Sequence, residues 1–130
     1  MRRPAKQEYI LIVGDELAVL GALAELLSSD GYRVDTATSG AMALDKLQKH
    51  TYDLILSDLR MPEIDGAAFY RALQHHHPAL CRRVIFLTGE SLSPESRMFL
   101  EQTAVPMLGK PVTRTELRSA VHQLLETRGR

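Results

Sequence analysis

Four apolar runs in this 130-residue sequence stop on residues able to do chemistry. Tyr9 to Val13 leads into Gly14, Asp15 and Glu16. Leu54 to Leu56 leads through Ser57 to Asp58. Val84 to Leu87 gives way to Thr88 and Gly89, and Val105 to Leu108 to Gly109 and Lys110. Two carboxylates suit a hard divalent cation, and Mg²⁺ prefers few carboxylates, several waters and a phosphate. A carboxylate beside such an ion can attack a phosphoryl group and hold it as an aspartyl-phosphate. A lysine neutralises the transferred charge, and a threonine hydroxyl can sense the phosphoryl oxygens. Each residue alone also has a plainer role. Asp58 can cap a helix or sit in a solvated loop, Asp15 can cap, Thr88 can satisfy its own backbone, and Lys110 can be solvated. Their shared place after apolar runs favours the chemical reading.

The elements that must position these residues follow from periodicity. Unbroken apolar runs of this length fit strands buried on both faces. After the first, Leu17, Leu20, Leu23, Ala24 and Leu27 recur at helical spacing, and Asp30-Gly31 stops that helix with a glycine suited to a left-handed cap. A second strand runs from Tyr32 to Ala37 with Val34 inward, and Ser39 caps a helix carrying Ala43, Leu44 and Leu47. The third strand ends at Asp58, where Met61-Pro62 and Asp65-Gly66 are turn signals. A helix from about Gly66 to about His76 presents Phe69, Ala72 and Leu73. The fourth strand is Val84 to Leu87. Ser93-Pro94-Glu95 is a strong helix start, ahead of Met98, Phe99 and Leu100. A short fifth strand, Val105 to Leu108, precedes the capping box Thr113-x-x-Glu116. The last helix carries Leu117, Ala120, Val121, Leu124 and Leu125.

Strand and helix thus alternate five times. That pattern predicts a parallel five-stranded sheet covered on both faces, a doubly wound (βα)5 sandwich of α/β class. The predicted strand order is the flavodoxin-like 2-1-3-4-5. In such a sheet all carboxyl ends lie on one edge, where ligands bind, so Asp15, Asp58, Thr88 and Lys110 converge there.

Composition narrows the function. The length predicts one domain, spanning residues 9–126 between an N-terminal arm (1–8) and a C-terminal tail (127–130). Apolar residues make up 45% and charged residues 25%, the balance of a globular protein. Net charge is zero, which gives no electrostatic capture of nucleic acid or an acidic membrane. Cys81 is the sole cysteine, so no disulfide forms within the chain. No apolar run reaches membrane-spanning length and no signal-peptide core follows Met1, so a cytoplasmic location is expected. His75, His76 and His77 are consecutive and do not share a helix face, so a closed metal site there is not expected.

With these motifs assembled, the chain resembles the receiver domain of two-component response regulators, the CheY-like superfamily. The resemblance rests on Ile-Val-Gly-Asp-Glu (12–16), Ser-Asp-Leu-Arg-Met-Pro (57–62), Ile-Asp-Gly (64–66), Leu-Thr-Gly (87–89) and Gly-Lys-Pro (109–111), and spans about Tyr9 to Leu125. It implies that Asp58 is the phosphoacceptor and that Asp15, Asp58 and the backbone carbonyl of Arg60 hold Mg²⁺. It further implies Thr88 as the switch hydroxyl, Lys110 as the phosphoryl partner and a cis Lys110-Pro111 bond. The implied donor is a histidine kinase or a histidine phosphotransfer protein. The implied output is altered binding of a downstream protein through the face of the fourth helix, fifth strand and fifth helix. The style of residues 83–111 is similar to receivers at the ends of hybrid sensor kinases, and no output domain is expected within these 130 residues.

Two departures stand out. Gly14 occupies the place of the first of two consecutive acids, which weakens Mg²⁺ binding. Glu16 is expected to point into the first helix rather than replace that acid. Met107 stands where the family usually has tyrosine or phenylalanine, which puts the aromatic readout in question and leaves Met107 as a flexible switch residue. Both departures favour an alternative, a degenerate receiver that binds partners without phosphate. An enzyme on the same fold is disfavoured, because Gly-Asp-Glu is not a phosphate cradle. Arg60 and Glu90 each lie two residues beyond a site residue. They are expected as independent solvated side chains, with pairing across the mouth as the alternative.

Overall fold

A computed structural model of the chain describes residues 8–89 and 92–126. The expected arm lies outside these residues except for Glu8, and so does the expected tail. Five strands are observed: β1 (Tyr9–Val13), β2 (Arg33–Ala37), β3 (Leu54–Asp58), β4 (Val84–Thr88) and β5 (Met107–Gly109). The helices between and after them are α1 (Leu17–Ser29), α2 (Gly40–Lys49), α3 (Gly66–His76), α4 (Pro94–Thr103) and α5 (Arg114–Glu126), with a 3-10 helix at Pro78–Arg83. All strand pairs are parallel, in the order β2-β1-β3-β4-β5. This is the flavodoxin-like topology that the alternation predicts.

The three strands nearest the centre are apolar runs because each is covered twice. All residues of β3 and β4 are buried, and so are the last four of β1. On one face, Leu11, Ile55 and Phe86 pack with Ala43 and Leu47 of α2, Phe69 and Leu73 of α3 and Phe99 of α4. On the other, Ile10, Leu56 and Ile85 pack with Leu20, Leu23 and Leu27 of α1 and Leu117 and Val121 of α5. Each fully buried leucine or isoleucine stabilises the fold by roughly 1.5–3 kcal/mol relative to exposure.

The local signals are realised. Ser39 and Ser93 accept from the backbone N–H groups of Met42 and Ser96, capping α2 and α4. Thr113 and Glu116 exchange hydrogen bonds of 3.1 Å each, a complete capping box. Helix α1 ends with Tyr32 N–H donating to the Leu27 carbonyl and Gly31 N–H to Ser28, with Gly31 at φ +100°.

Three expectations need correction. The fifth strand is Met107–Gly109, not Val105 to Leu108. Val105 is buried in the core and Pro106 has no N–H to give, so the ladder forms only beyond them, although the Pro106 carbonyl accepts from Phe86. The second strand starts at Arg33, because the Tyr32 N–H is spent on the helix end. Leu17 opens α1 but is 71% exposed, one turn ahead of the buried stripe. Among the described residues, no helix is long and apolar enough to cross a membrane.

Candidate functional site

The carboxyl edge of the sheet gathers the expected residues. Asp58 is the last residue of β3, 4% exposed, and its register partner on β4 is Leu87. Thr88 ends β4, is buried, and its carbonyl accepts from the Lys110 N–H at 2.8 Å. That bond pins the base of Lys110 just after β5, and its Nζ reaches Asp58 Oδ1 at 3.0 Å. The Lys110-Pro111 bond is cis. Asp15 is exposed at the mouth, after β1. Among the described residues the Thr88 hydroxyl has no hydrogen-bond partner.

The loop after Asp58 is held at both ends. Leu59 N–H donates to the Leu87 carbonyl at 3.0 Å, and Gly66 N–H returns to the Leu59 carbonyl at 2.8 Å. Asp65 then caps α3 by accepting from Ala68. Ser57, fully buried, donates to the Asp58 carbonyl at 2.9 Å, a contact that the sequence did not signal.

Electrostatics set this carboxylate apart. Burial pushes the Asp58 carboxyl above its usual range. Lys110 pulls it back only in part, and Asp15 and Glu16 push it further up. For Lys110, burial pulls the ammonium down, but its bonds with Asp58 and Glu16 outweigh this and hold it above the ordinary lysine value.

Two residues differ from expectation. Glu16 does not fold back into α1. It stands at the helix N-cap without a side-chain capping bond, and its Oε1 lies 3.4 Å from Lys110 Nζ. The signal was present, since glutamate is not among the favoured N-cap residues. Gly14 is more than a missing acid. A Cβ there would lie 2.5 Å from Asp58 Oδ2 and 3.1 Å from its Cγ, so the Asp58 carboxylate rests over the bare glycine.

Met107 is 48% exposed and borders an open groove with Leu92, Leu100 and Val105. Arg60 is exposed, while Glu90 lies outside the described residues, as does any pairing between them. Among the described residues, no group of three or more His, Cys, Asp or Glu side chains gathers as a metal cage. The expected donors, Asp15, Asp58 and the Arg60 carbonyl, would be a sparser set, with Asp15 near enough for its charge to push the Asp58 carboxyl up. That set fits Mg²⁺, which keeps several waters and takes one or two carboxylates.

A doubly wound parallel sheet with a buried aspartate, a threonine and a lysine on its carboxyl edge defines a receiver-type signalling module. The chain belongs to the response regulator receiver domain family, whose model matches residues 10–122. It is similar to the transcriptional regulatory protein GlrR of Escherichia coli, 36% identical over 121 residues, covering 93% of this chain and 27% of that protein. It is also similar to the sensor histidine kinase RcsC of Salmonella typhi, 36% identical over 113 residues, covering 86% of this chain and 12% of that one. Among solved structures it resembles the signal receiver domain of a histidine kinase from Syntrophus aciditrophicus, with a TM-score of 0.84, 33% identity, and 95% and 93% of the two chains covered. The chain spans about a quarter or less of the length of these two curated relatives.

Proposed function

We propose that this chain is a phosphoacceptor module of a two-component phosphorelay, with Asp58 as the acceptor. The carrying observation is the buried Asp58 carboxylate paired with Lys110 at 3.0 Å on the carboxyl edge of the sheet. An Asp58 oxygen attacks phosphorus, the bond from phosphorus to the donor's leaving atom breaks, and an acyl phosphate forms. The donor is a histidine kinase or a histidine phosphotransfer protein, the partner class of receiver domains. Lys110 neutralises a phosphoryl oxygen, and burial strengthens that interaction. Asp15, Asp58 and the Arg60 carbonyl would hold Mg²⁺, which when bound neutralises the phosphoryl oxygens.

The new group adds about 1.5 to 2 negative charges at one point. Thr88 turns its hydroxyl toward it. Met107 and the α4-β5-α5 face shift with it, changing affinity for a downstream protein. Residues 9–126 act as the folding unit, and nucleic acid and membrane are not its ligands. Likeness to receivers of sensor kinases supports a place in a hybrid kinase.

A second reading, a module working without phosphate, is favoured by Gly14, whose missing carboxylate weakens the cation site. Intact mass after incubation with Mg²⁺ and acetyl phosphate tests the pair. A gain of one phosphoryl group in wild type, absent in Asp58→Asn, upholds the first reading. No gain at saturating Mg²⁺ supports the second.

A further inference from the structure

Lys110 is held at its backbone by the Thr88 carbonyl, but its ammonium sits at the end of a flexible four-carbon stem. Something must station that end. Among the described residues its two partners are Asp58 at 3.0 Å and Glu16 at 3.4 Å, the latter 94 residues away in sequence. Glu16 is at the N-cap of α1, where a short oxygen-bearing side chain would ordinarily be spent on the helix's own N–H groups. It makes no such bond. A residue breaking a local rule while making a specific distant contact is the pattern of a functional position.

Gly14 gives the contact its meaning. The space for a side chain at position 14 is taken by Asp58 Oδ2, so a side chain there would require the Asp58 carboxylate to shift. Among the described residues the carboxylate nearest Lys110 apart from Asp58 is instead that of Glu16, at 3.4 Å. We propose that Glu16 is a positioning residue: by pairing with Lys110 it stations the ammonium beside Asp58, supplying from the helix start a second carboxylate that position 14 does not provide. The proposal rests on the reading of Asp58 as the phosphoacceptor. Asp58 and Lys110 meet the phosphoryl group, and Glu16 acts through Lys110.

The test compares phosphorylation rates with acetyl phosphate and Mg²⁺, by intact mass, for the full chain and for Glu16→Gln and Glu16→Asp. Glutamine keeps the length and removes the charge. Aspartate keeps the charge, is the better helix cap, and is one methylene too short to reach Lys110. Both variants are expected to react about three- to fivefold more slowly, the scale of one partly exposed ion pair. A purely structural role predicts that Glu16→Asp reacts as fast as wild type, and a wild-type rate in both variants overturns the proposal. A urea stability cycle of Glu16→Gln with Lys110→Met keeps the question separate from Asp58 chemistry. If wild type takes no phosphoryl group, the reading of Asp58 fails. The cycle then decides alone: coupling between the two positions upholds the stationing of Lys110, and additivity overturns it.

Discussion

Two aspartate–lysine pairs in this molecule have nearly the same length and opposite characters. On the edge strand β2, Asp35 meets Lys46 Nζ at 2.8 Å. It also accepts from the Tyr52 hydroxyl at 2.7 Å and the Thr36 N–H at 2.9 Å. Lys46 in turn donates to the Thr36 carbonyl. Burial pushes the Asp35 carboxyl up, but these donors outweigh it and hold the group below the usual carboxylate range. On the central strand β3, Asp58 is more deeply buried, with its side chain 5% exposed against 24% for Asp35, and among the described residues its ion-pair partner is Lys110 alone. Its carboxyl is held above the usual range. A carboxylate given all its hydrogen bonds stabilises a fold, whereas one buried with a single partner costs stability and keeps capacity for a new group. The first pair is mortar, and the second has the character that the proposed acceptor role requires.

Substitutions sharpen this contrast, and the largest effect is on chemistry. Asp58→Asn is expected to abolish phosphoryl uptake, while Asp35→Asn leaves its rate within about twofold, since Asp35 touches none of the site residues. Equal loss in both would erase the distinction. Next is stability: Asp35→Ala leaves the Tyr52 hydroxyl and the Lys46 ammonium without their shared acceptor and is expected to cost about 2 kcal/mol in urea unfolding. Asp58→Asn should move the other way, gaining about 1 kcal/mol at neutral pH, as is common when a functional site is relaxed. A destabilised Asp58→Asn would show that Lys110 fully compensates the buried charge.

pH separates the pairs by sign. The Asp35 contribution is present above the ordinary carboxylate value of about 4 and is lost as pH falls through its lower folded value. Asp58 runs opposite: with its folded value raised, its ionisation costs stability as pH rises through the carboxylate range. Stability of Asp35→Asn should therefore fall less steeply in acid than wild type, and the advantage of Asp58→Asn should vanish below about pH 4. The smallest effect belongs to a third pair, Lys49 and Asp45 at 3.2 Å on α2, both more than half exposed. Lys49→Met is expected to change stability by no more than about 0.5 kcal/mol, and a larger loss would mean that exposure is not what separates these pairs.

Much of this was legible in the chain. The alternation of buried runs and amphipathic helices predicted the sheet order, and the residues after each run predicted which side chains meet at its edge. Caps at Ser39, Ser93 and Thr113 were readable because their partners are three residues away. Asp35 carries no such signal, because its partners Lys46 and Tyr52 are brought to it by α2 and by the connection that leads into β3, and no local pattern marks them. The start of β5 differs because Val105 is apolar for burial and not for pairing. Glu16 was assigned to its own helix, yet its partner lies across the fold.

What the sequence determined by itself is therefore the frame. Strand and helix periods, and the residue types at strand ends, are set by neighbours along the chain, and parallel topology then carries Asp15, Asp58, Thr88 and Lys110 to one edge. The tertiary structure decided which atoms touch. It laid Asp58 over Gly14, turned Glu16 to Lys110, left Met107 half exposed and gave Asp35 its donors. Those contacts depend on side-chain direction and on distances between elements far apart in sequence, which only close packing fixes.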